Sequence, residues 1–370
     1  MRKLTCFAVI ILFTVSSFCS ATPESIRIAL IAPLSGEYAA YGIQLLSGAT
    51  QAIDDINKRG GIKGVSLELM PLDDQCNPDL AVNLAEQLVQ EKQTQIVIGH
   101  ACSAASLATA KLYAKANILV ITPSATNPQI TQRGIPTIFR MVGTDNLQSN
   151  IAASFLVQKL QSKRIAILHD EDLYSQGLAD TLSENLIHLN NTPVLYQAIP
   201  RGTRNFKPLA KKLKQLQVDA LYFAGLYPEV SALAKALHVL QIQVPLIAGD
   251  GVAVQEFVSL AGGMQTANAV LFSFATDPKQ LVSTKTVMQR MHKANLDTFG
   301  YAMYAYAAAQ VIAAAIEQVN STDGTKLAAW LHQHEVDTVL GKKSWDTNGD
   351  IIAAEFKMYC WDKNSQMEKL

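Results

Sequence analysis

Neither sign of charge dominates this chain of 370 residues, in which 31 lysines and arginines face 31 aspartates and glutamates. There is no basic field to attract nucleic acid or an anionic lipid surface, so neither partner is expected. Aromatic residues are scarce, 7% against 49% for all hydrophobic types. Aliphatic packing must therefore build the interior, and the high apolar content excludes a disordered chain. Beyond the N-terminus no window reaches eighteen continuous apolar residues, so no membrane span is expected. A G-x-S-x-G elbow, an H-E-x-x-H pair, a Walker A loop and a G-x-G-x-x-G fingerprint are all missing. Without them the chain has no known catalytic centre and no cofactor cradle, and it does not read as an enzyme.

Cysteine is sparse as well, at five residues. Two of them, Cys6 and Cys19, belong to a segment with the form of an export signal. Met1-Arg2-Lys3 is basic, Leu4 to Phe18 is almost wholly apolar, and Cys19-Ser20-Ala21 supplies small residues for a cut after Ala21. Acylation of Cys19 is disfavoured because bulky Phe18 precedes it. The product is expected in an oxidising compartment, where Cys76, Cys102 and Cys360 remain. Cys76 follows one expected strand and Cys102 the next, so a Cys76–Cys102 disulfide is expected. A metal site lacks ligands at suitable spacing. Cys360 is left as a free, half-buried thiol.

About 350 residues follow the signal, enough for two domains. They alternate in character from end to end. Continuous apolar runs at 26–32, 67–72, 96–99, 118–122, 165–169, 220–224, 246–248 and 270–274 read as strands buried on both faces. Segments at 42–58, 79–92, 177–190, 229–240, 254–260 and 301–319 read as helices, with a further helix starting at Ser103. Asn77-Pro78 has the form of an N-cap followed by proline at the first helical position, and Gly60-Gly61 ends the helix before it. Strict alternation with short connections implies parallel sheets covered by helices, in two doubly wound lobes.

In such sheets ligands bind beyond the carboxyl ends of the strands. The first half places Tyr41, Ser103, Ala125 and Thr126 there, offering hydroxyls and helix-start amides suited to a carboxylate. The second half places Tyr174 and Asp250 there, suited to an ammonium group. A zwitterionic α-amino acid gripped by both lobes fits this division. Each residue also has a plainer role open to it: Ser103 as a helix cap, Asp250-Gly251 as a turn, Tyr41 and Tyr174 as packing. Other motifs are weaker. Gly60-Gly61-Ile62-Lys63-Gly64 precedes a strand and is no phosphate cradle. His332 and His334 fall on different sides of a helix. Asp346 to Asp350 lacks the glycine placement and twelfth-position acid of a calcium loop, so it reads as an Asn-Gly turn.

Several long stretches carry a specific likeness: IRIALIAPLSGEYAAYG, GATQAIDDINKRGGIKG, LDDQCNP, VIGHACS, ITPSATNPQITQRG, RIAILHDEDLYSQGLA, GLYPE, GDGV and SWDTNGD. In these the chain resembles the periplasmic leucine/isoleucine/valine-binding proteins of bacterial ABC transporters, across essentially its whole length after the signal. The resemblance implies an α/β fold of two doubly wound parallel-sheet lobes joined by a three-crossing hinge, the type I periplasmic binding protein. The crossings would lie near 141–145, 272–275 and 341–346. Residues 22–143 with 274–344 would form one lobe, and 144–273 with 345–370 the other.

By the same resemblance Tyr41 packs on the ligand side chain, and Ser103, Ala125 and Thr126 bind its carboxylate and amino group. Tyr174 contacts the ligand from the second lobe, and Tyr301 lines the side-chain pocket. Cys76 and Cys102 match the family disulfide. Two positions depart from the pattern: Leu226 replaces a common pocket aromatic, and Asp250 replaces a glutamate. The implied function is a monomeric periplasmic receptor without cofactor, delivering leucine, isoleucine or valine to a membrane permease. The alternatives are a ligand-sensing module, or a binder of another neutral or aromatic amino acid or an amide.

Overall fold

The computed structural model describes residues 25–370 apart from residue 93, so the expected export signal lies outside the described residues. The first half builds a five-stranded parallel sheet from β1 (Ile26–Ala32), β2 (Leu67–Asp73), β3 (Ile96–Gly99), β4 (Leu119–Thr122) and β5 (Ile138–Arg140), in the order β2-β1-β3-β4-β5. Between them run α1 (Ala39–Lys58), α2 (Pro78–Glu91) and α3 (Ser103–Lys115). The unbroken apolar runs follow from burial on both faces. Along β1, Ile28, Leu30 and Ala32 point into one core cluster while Ala29 and Ile31 point into another. β3 and β4 divide in the same way, with Val97 and Val120 on the second face. Asn77 caps α2 as its sequence requires, its side chain accepting from the Asp79 and Leu80 amides.

The second half begins with α4 (Asp145–Ser154) and continues with β6 (Ile165–His169), α5 (Leu173–His188), β7 (Leu195–Ala198), α6 (Lys207–Gln215), β8 (Ala220–Ala224) and α7 (Tyr227–Val239). β9 (Leu246–Ala248), α8 (Glu256–Leu260), α9 (Met264–Ala267) and β10 (Val270–Ala275) come next. The chain then returns to the first sheet with α10 (Lys285–Lys293), α11 (Ala302–Val319) and α12 (Gly324–Leu331). α10 and α11 pack on α1, and α12 packs on α11 and β4. A small hairpin, β11 (Val336–Thr338) with β12 (Gly341–Lys343), precedes a last passage to β13 (Phe356–Trp361) and β14 (Met367–Lys369).

The second sheet is therefore not wholly parallel. Its order is β14-β13-β10-β9-β8-β6-β7, and β13 and β14 join it antiparallel. These two strands escape a sequence reading built on alternation because no helix separates them from their neighbours. The turn before them is as expected, with Asp346 Oδ1 accepting from the amides of Asn348 and Asp350.

A disulfide joins Cys76 to Cys102, with Cα atoms 5.5 Å apart. The strands they follow, β2 and β3, are not neighbours but flank β1, so the bridge spans the end of that central strand. Cys360 is free and half-buried. Among the described residues no helix is long and apolar enough to cross a membrane.

Candidate functional site

Each sheet reverses its strand order once, between β1 and β3 in the first and between β6 and β8 in the second. Loops leaving the carboxyl ends of strands at such a point diverge and open a crevice. Here the two crevices face each other. Between them lies a cavity lined from the first sheet by Tyr41, Ser103, Ser124 and Thr126, and from the second by Tyr174, Leu226 and Asp250. Tyr301, at the start of α11, closes one wall.

Asp250 is the chemical centre of this space. It follows β9 and is 5% exposed. Its Oδ1 accepts from the Tyr174 hydroxyl at 2.8 Å and from Gln148 Nε2 at 2.9 Å, and its Oδ2 accepts from the Tyr301 hydroxyl at 2.5 Å. The flanking glycines make this crowding possible. A Cβ at Gly249 would sit 2.5 Å from the Tyr174 hydroxyl oxygen, and one at Gly251 would sit 2.7 Å from Gly225 O. Burial pushes the Asp250 carboxyl upward, opposed by the hydrogen bonds from Tyr301, Gln148 and Tyr174. Burial and the nearby Asp250 also raise the Tyr174 and Tyr301 hydroxyls far above the usual range, which keeps both as donors. The result is a carboxylate held by neutral donors in a dry site, which attracts a cation.

The first sheet supplies the opposite character. Ser103 is the first residue of α3, and Cys102 stands at its N-cap without a capping side chain. The Ser103 hydroxyl accepts from the Asn127 amide at 3.3 Å, so its role is to tie two loops together and not to cap the helix. Thr126 is buried, and its carbonyl accepts from the Asp145 amide. Ala125 is not part of the cavity wall. Its amide donates to Thr122 Oγ1 at 3.1 Å and its carbonyl accepts from Arg140 at 2.7 Å. Unengaged amides at the start of a helix form a partial positive charge, which suits an anion.

Contacts across the cavity hold the two halves together. The Tyr41 hydroxyl donates to Gly251 O, and the Tyr227 hydroxyl donates to Glu37 O. Gln44 reaches Ala253 O at 3.1 Å, and Asn127 reaches Leu173 O at 3.0 Å. The cavity volume is about 40 Å³, far below the several hundred typical of small-molecule pockets. A volume this small leaves no room for a small-molecule ligand in this arrangement.

Three residues of this region escape the sequence reading. Gln148 lies on α4, whose polar sequence carries no clear apolar period. Asp172 is the N-cap of α5, three residues past the end of β6. Arg201 follows β7, a short half-buried strand without a continuous apolar run. Ser124, in the loop that follows β4, lines the cavity beside Thr126. Arg201 pairs with Asp172 at 3.4 Å and stands over the Tyr38 ring at 4.8 Å, so it also links the halves. Two other polar side chains beyond strand ends turn inward. His100 is locked between Asp74 at 2.7 Å and the Tyr113 hydroxyl at 3.0 Å. Glu229 is buried against the Gly202 amide and Arg204.

Residues 25–366 match the model of a periplasmic binding protein family. An amino acid binding protein of Pseudomonas aeruginosa is 37% identical, over 93% of this chain and 92% of its own length. A Leu/Ile/Val-binding protein of Citrobacter freundii is 34% identical, over 93% of each. The crystal structure of a leucine binding protein, LivK, from Thermotoga maritima superposes with a TM-score of 0.85. It is 25% identical and covers 93% of this chain and 97% of that one.

Proposed function

The chain belongs to the periplasmic binding protein family, and from that premise we propose that it captures a small α-amino acid with a branched aliphatic side chain and presents it to the permease of an ABC transporter. The observation that carries the reading is the buried Asp250 carboxylate, held by three uncharged donors and facing the hydroxyl-lined loops of the other sheet. The ligand's ammonium group meets Asp250, Tyr174 and Tyr301. Its carboxylate meets Ser103, Thr126 and the helix-start amides of the first sheet. Tyr41 and Leu226 cover its side chain, and Leu226 leaves apolar room where an aromatic would fill it.

Closure works through differential binding. Three passages of the chain, following β5, β10 and β12, act as the hinge between a lobe of residues 22–143 with 274–344 and a lobe of 144–273 with 345–370. A ligand that touches both lobes only when they are shut draws the population toward the shut form. That form then docks on the permease. The family is periplasmic, and we place this chain there as a monomer, exported through a signal cleaved after Ala21. It binds its ligand without cofactor and does not transform it.

Isothermal calorimetry tests this on mature protein that has been unfolded and refolded to strip carried-over ligand. Tight binding of leucine, isoleucine or valine is expected. Silence with all twenty amino acids would reject the amino-acid reading and move the ligand to an amide or another small solute.

A further inference from the structure

Behind the Asp250 carboxylate stands a second buried carboxyl that the binding scheme leaves unused. Asp145 opens α4, its amide donates to Thr126 O at 3.0 Å, and its side chain is fully buried. Gln148 Nε2 donates to Asp145 Oδ1 at 3.2 Å and to Asp250 Oδ1 at 2.9 Å, so one amide nitrogen bridges the two carboxyls. The other Asp145 oxygen, Oδ2, is buried without a hydrogen-bond partner.

Burial of Asp145 outweighs Thr126, Arg140 and Gln148, each of which favours its ionised form. From β5, Arg140 is committed to Asp350, Thr131 and the carbonyls of Ala125 and Asn127. From α5, β8 and the start of α11 come the hydroxyls of Tyr174, Tyr222 and Tyr301, all held neutral by burial and by the two aspartates. β13 also packs on α4, and its Lys357 pairs with neighbouring Glu355. Two carboxylates joined through a neutral amide in a dry interior do not both ionise readily, and the pair retains a proton. Burial first, and the nearby Asp250 second, push Asp145 up to about 8.

We infer that Asp145 holds a proton beside Asp250 and releases it when an amino acid's ammonium group arrives, so that ligand capture is coupled to proton release. The inference rests on the proposed contact between that ammonium group and Asp250. In the step the Asp145 O–H bond breaks and the proton leaves to water. No bond to the ligand forms, and the ammonium takes the proton's place as the compensating charge. Asp145 acts through Gln148 and Asp250 and is a positioning residue. Proton release on binding means that affinity rises with pH over pH 6–8, by at most about tenfold per pH unit for one proton, and levels off above it.

The test is calorimetry of the mature protein with leucine, isoleucine and valine, in two buffers of different ionisation enthalpy at pH 7. The expected result is a buffer-dependent enthalpy reporting a large fraction of one proton released, with Kd falling several-fold from pH 6 to pH 8. Asp145→Asn should bind with buffer-independent enthalpy and a flat pH profile, which a merely structural role would not produce. Buffer-independent binding in the unaltered protein overturns the inference while the Asp250 contact stands, as does proton release that survives in Asp145→Asn. Should that variant fail to fold, the proton count of the unaltered protein decides alone. Binding of none of the three amino acids overturns the Asp250 contact, and the inference with it.

Discussion

Gln148 grips Asp250 from two directions: its Nε2 donates to the carboxylate at 2.9 Å while its Oε1 accepts from the Asp250 amide at 2.7 Å. The Ser273 hydroxyl donates to the same Oε1 at 2.6 Å, fixing which end of the amide faces which partner. A residue on α4 thereby sets the rotamer of a carboxylate carried by a loop after β9.

That grip is testable through Gln148→Ala. The change removes a hydrogen bond to a charged group, worth roughly 1.5–3 kcal/mol, so amino-acid affinity should fall by about one to two orders of magnitude. Calorimetry measures it, and an unchanged Kd would mean that Asp250 needs no positioning.

Asp250→Ala should be more severe than any other single change at the site. A desolvated ammonium would lose its only carboxylate partner in the proposed contact, a loss of about 2–5 kcal/mol or more in buried charge pairs. Ser103→Ala should weaken binding less, because the amides at the start of α3 remain. It should also lower stability by about 1–3 kcal/mol, since the buried Asn127 amide loses its acceptor. Equal losses of affinity in the two variants would contradict this ranking.

Reduction should destabilise the protein through the unfolded state. The bridge spans a sequence separation of 26, for which chain-entropy reasoning gives roughly 3–4 kcal/mol. A fall in Tm of about 5–15 °C on reduction is expected by calorimetric scanning. Thiol titration of the denatured, non-reduced mature protein should find Cys360 alone, and three reactive thiols there would refute the bridge.

The closed arrangement depends on contacts that do not touch the proposed ligand position. Tyr227→Phe deletes the hydroxyl that donates to Glu37 O across the cleft. Losing about 0.5–1.5 kcal/mol from the closed form should lower its share of the ligand-free population by up to about tenfold. Distance measurements between labels on the two sheets would register the shift. A distribution identical to that of the unaltered protein would show that this contact does not hold the halves together.

Much of the fold was legible because burial on both faces writes itself into sequence. β1, β3, β6, β8 and β9 have the bounds expected from their apolar runs, since most side chains along a central parallel strand are buried whichever way they point. Edges carry no such requirement. β7 is half-exposed, and β13 lies near the margin of its sheet, so neither shows a continuous run. α4 escapes for a related reason: it buries Asp145, Gln148 and Ser149 along with its alanines, which erases the apolar period.

The sequence by itself determined that the chain alternates strand and helix, that its strand ends carry hydroxyls in one half and Asp250 in the other, and that Cys76 and Cys102 follow successive strands. Those are local properties, set by side-chain type and spacing. Only the tertiary structure decided that Asp250 is gripped by Gln148 from 102 positions away, capped by Tyr301 from 51 positions away, and backed by a second carboxyl at Asp145. Such contacts depend on how separate segments dock, and a hydrogen bond between distant residues leaves no periodic trace in either segment.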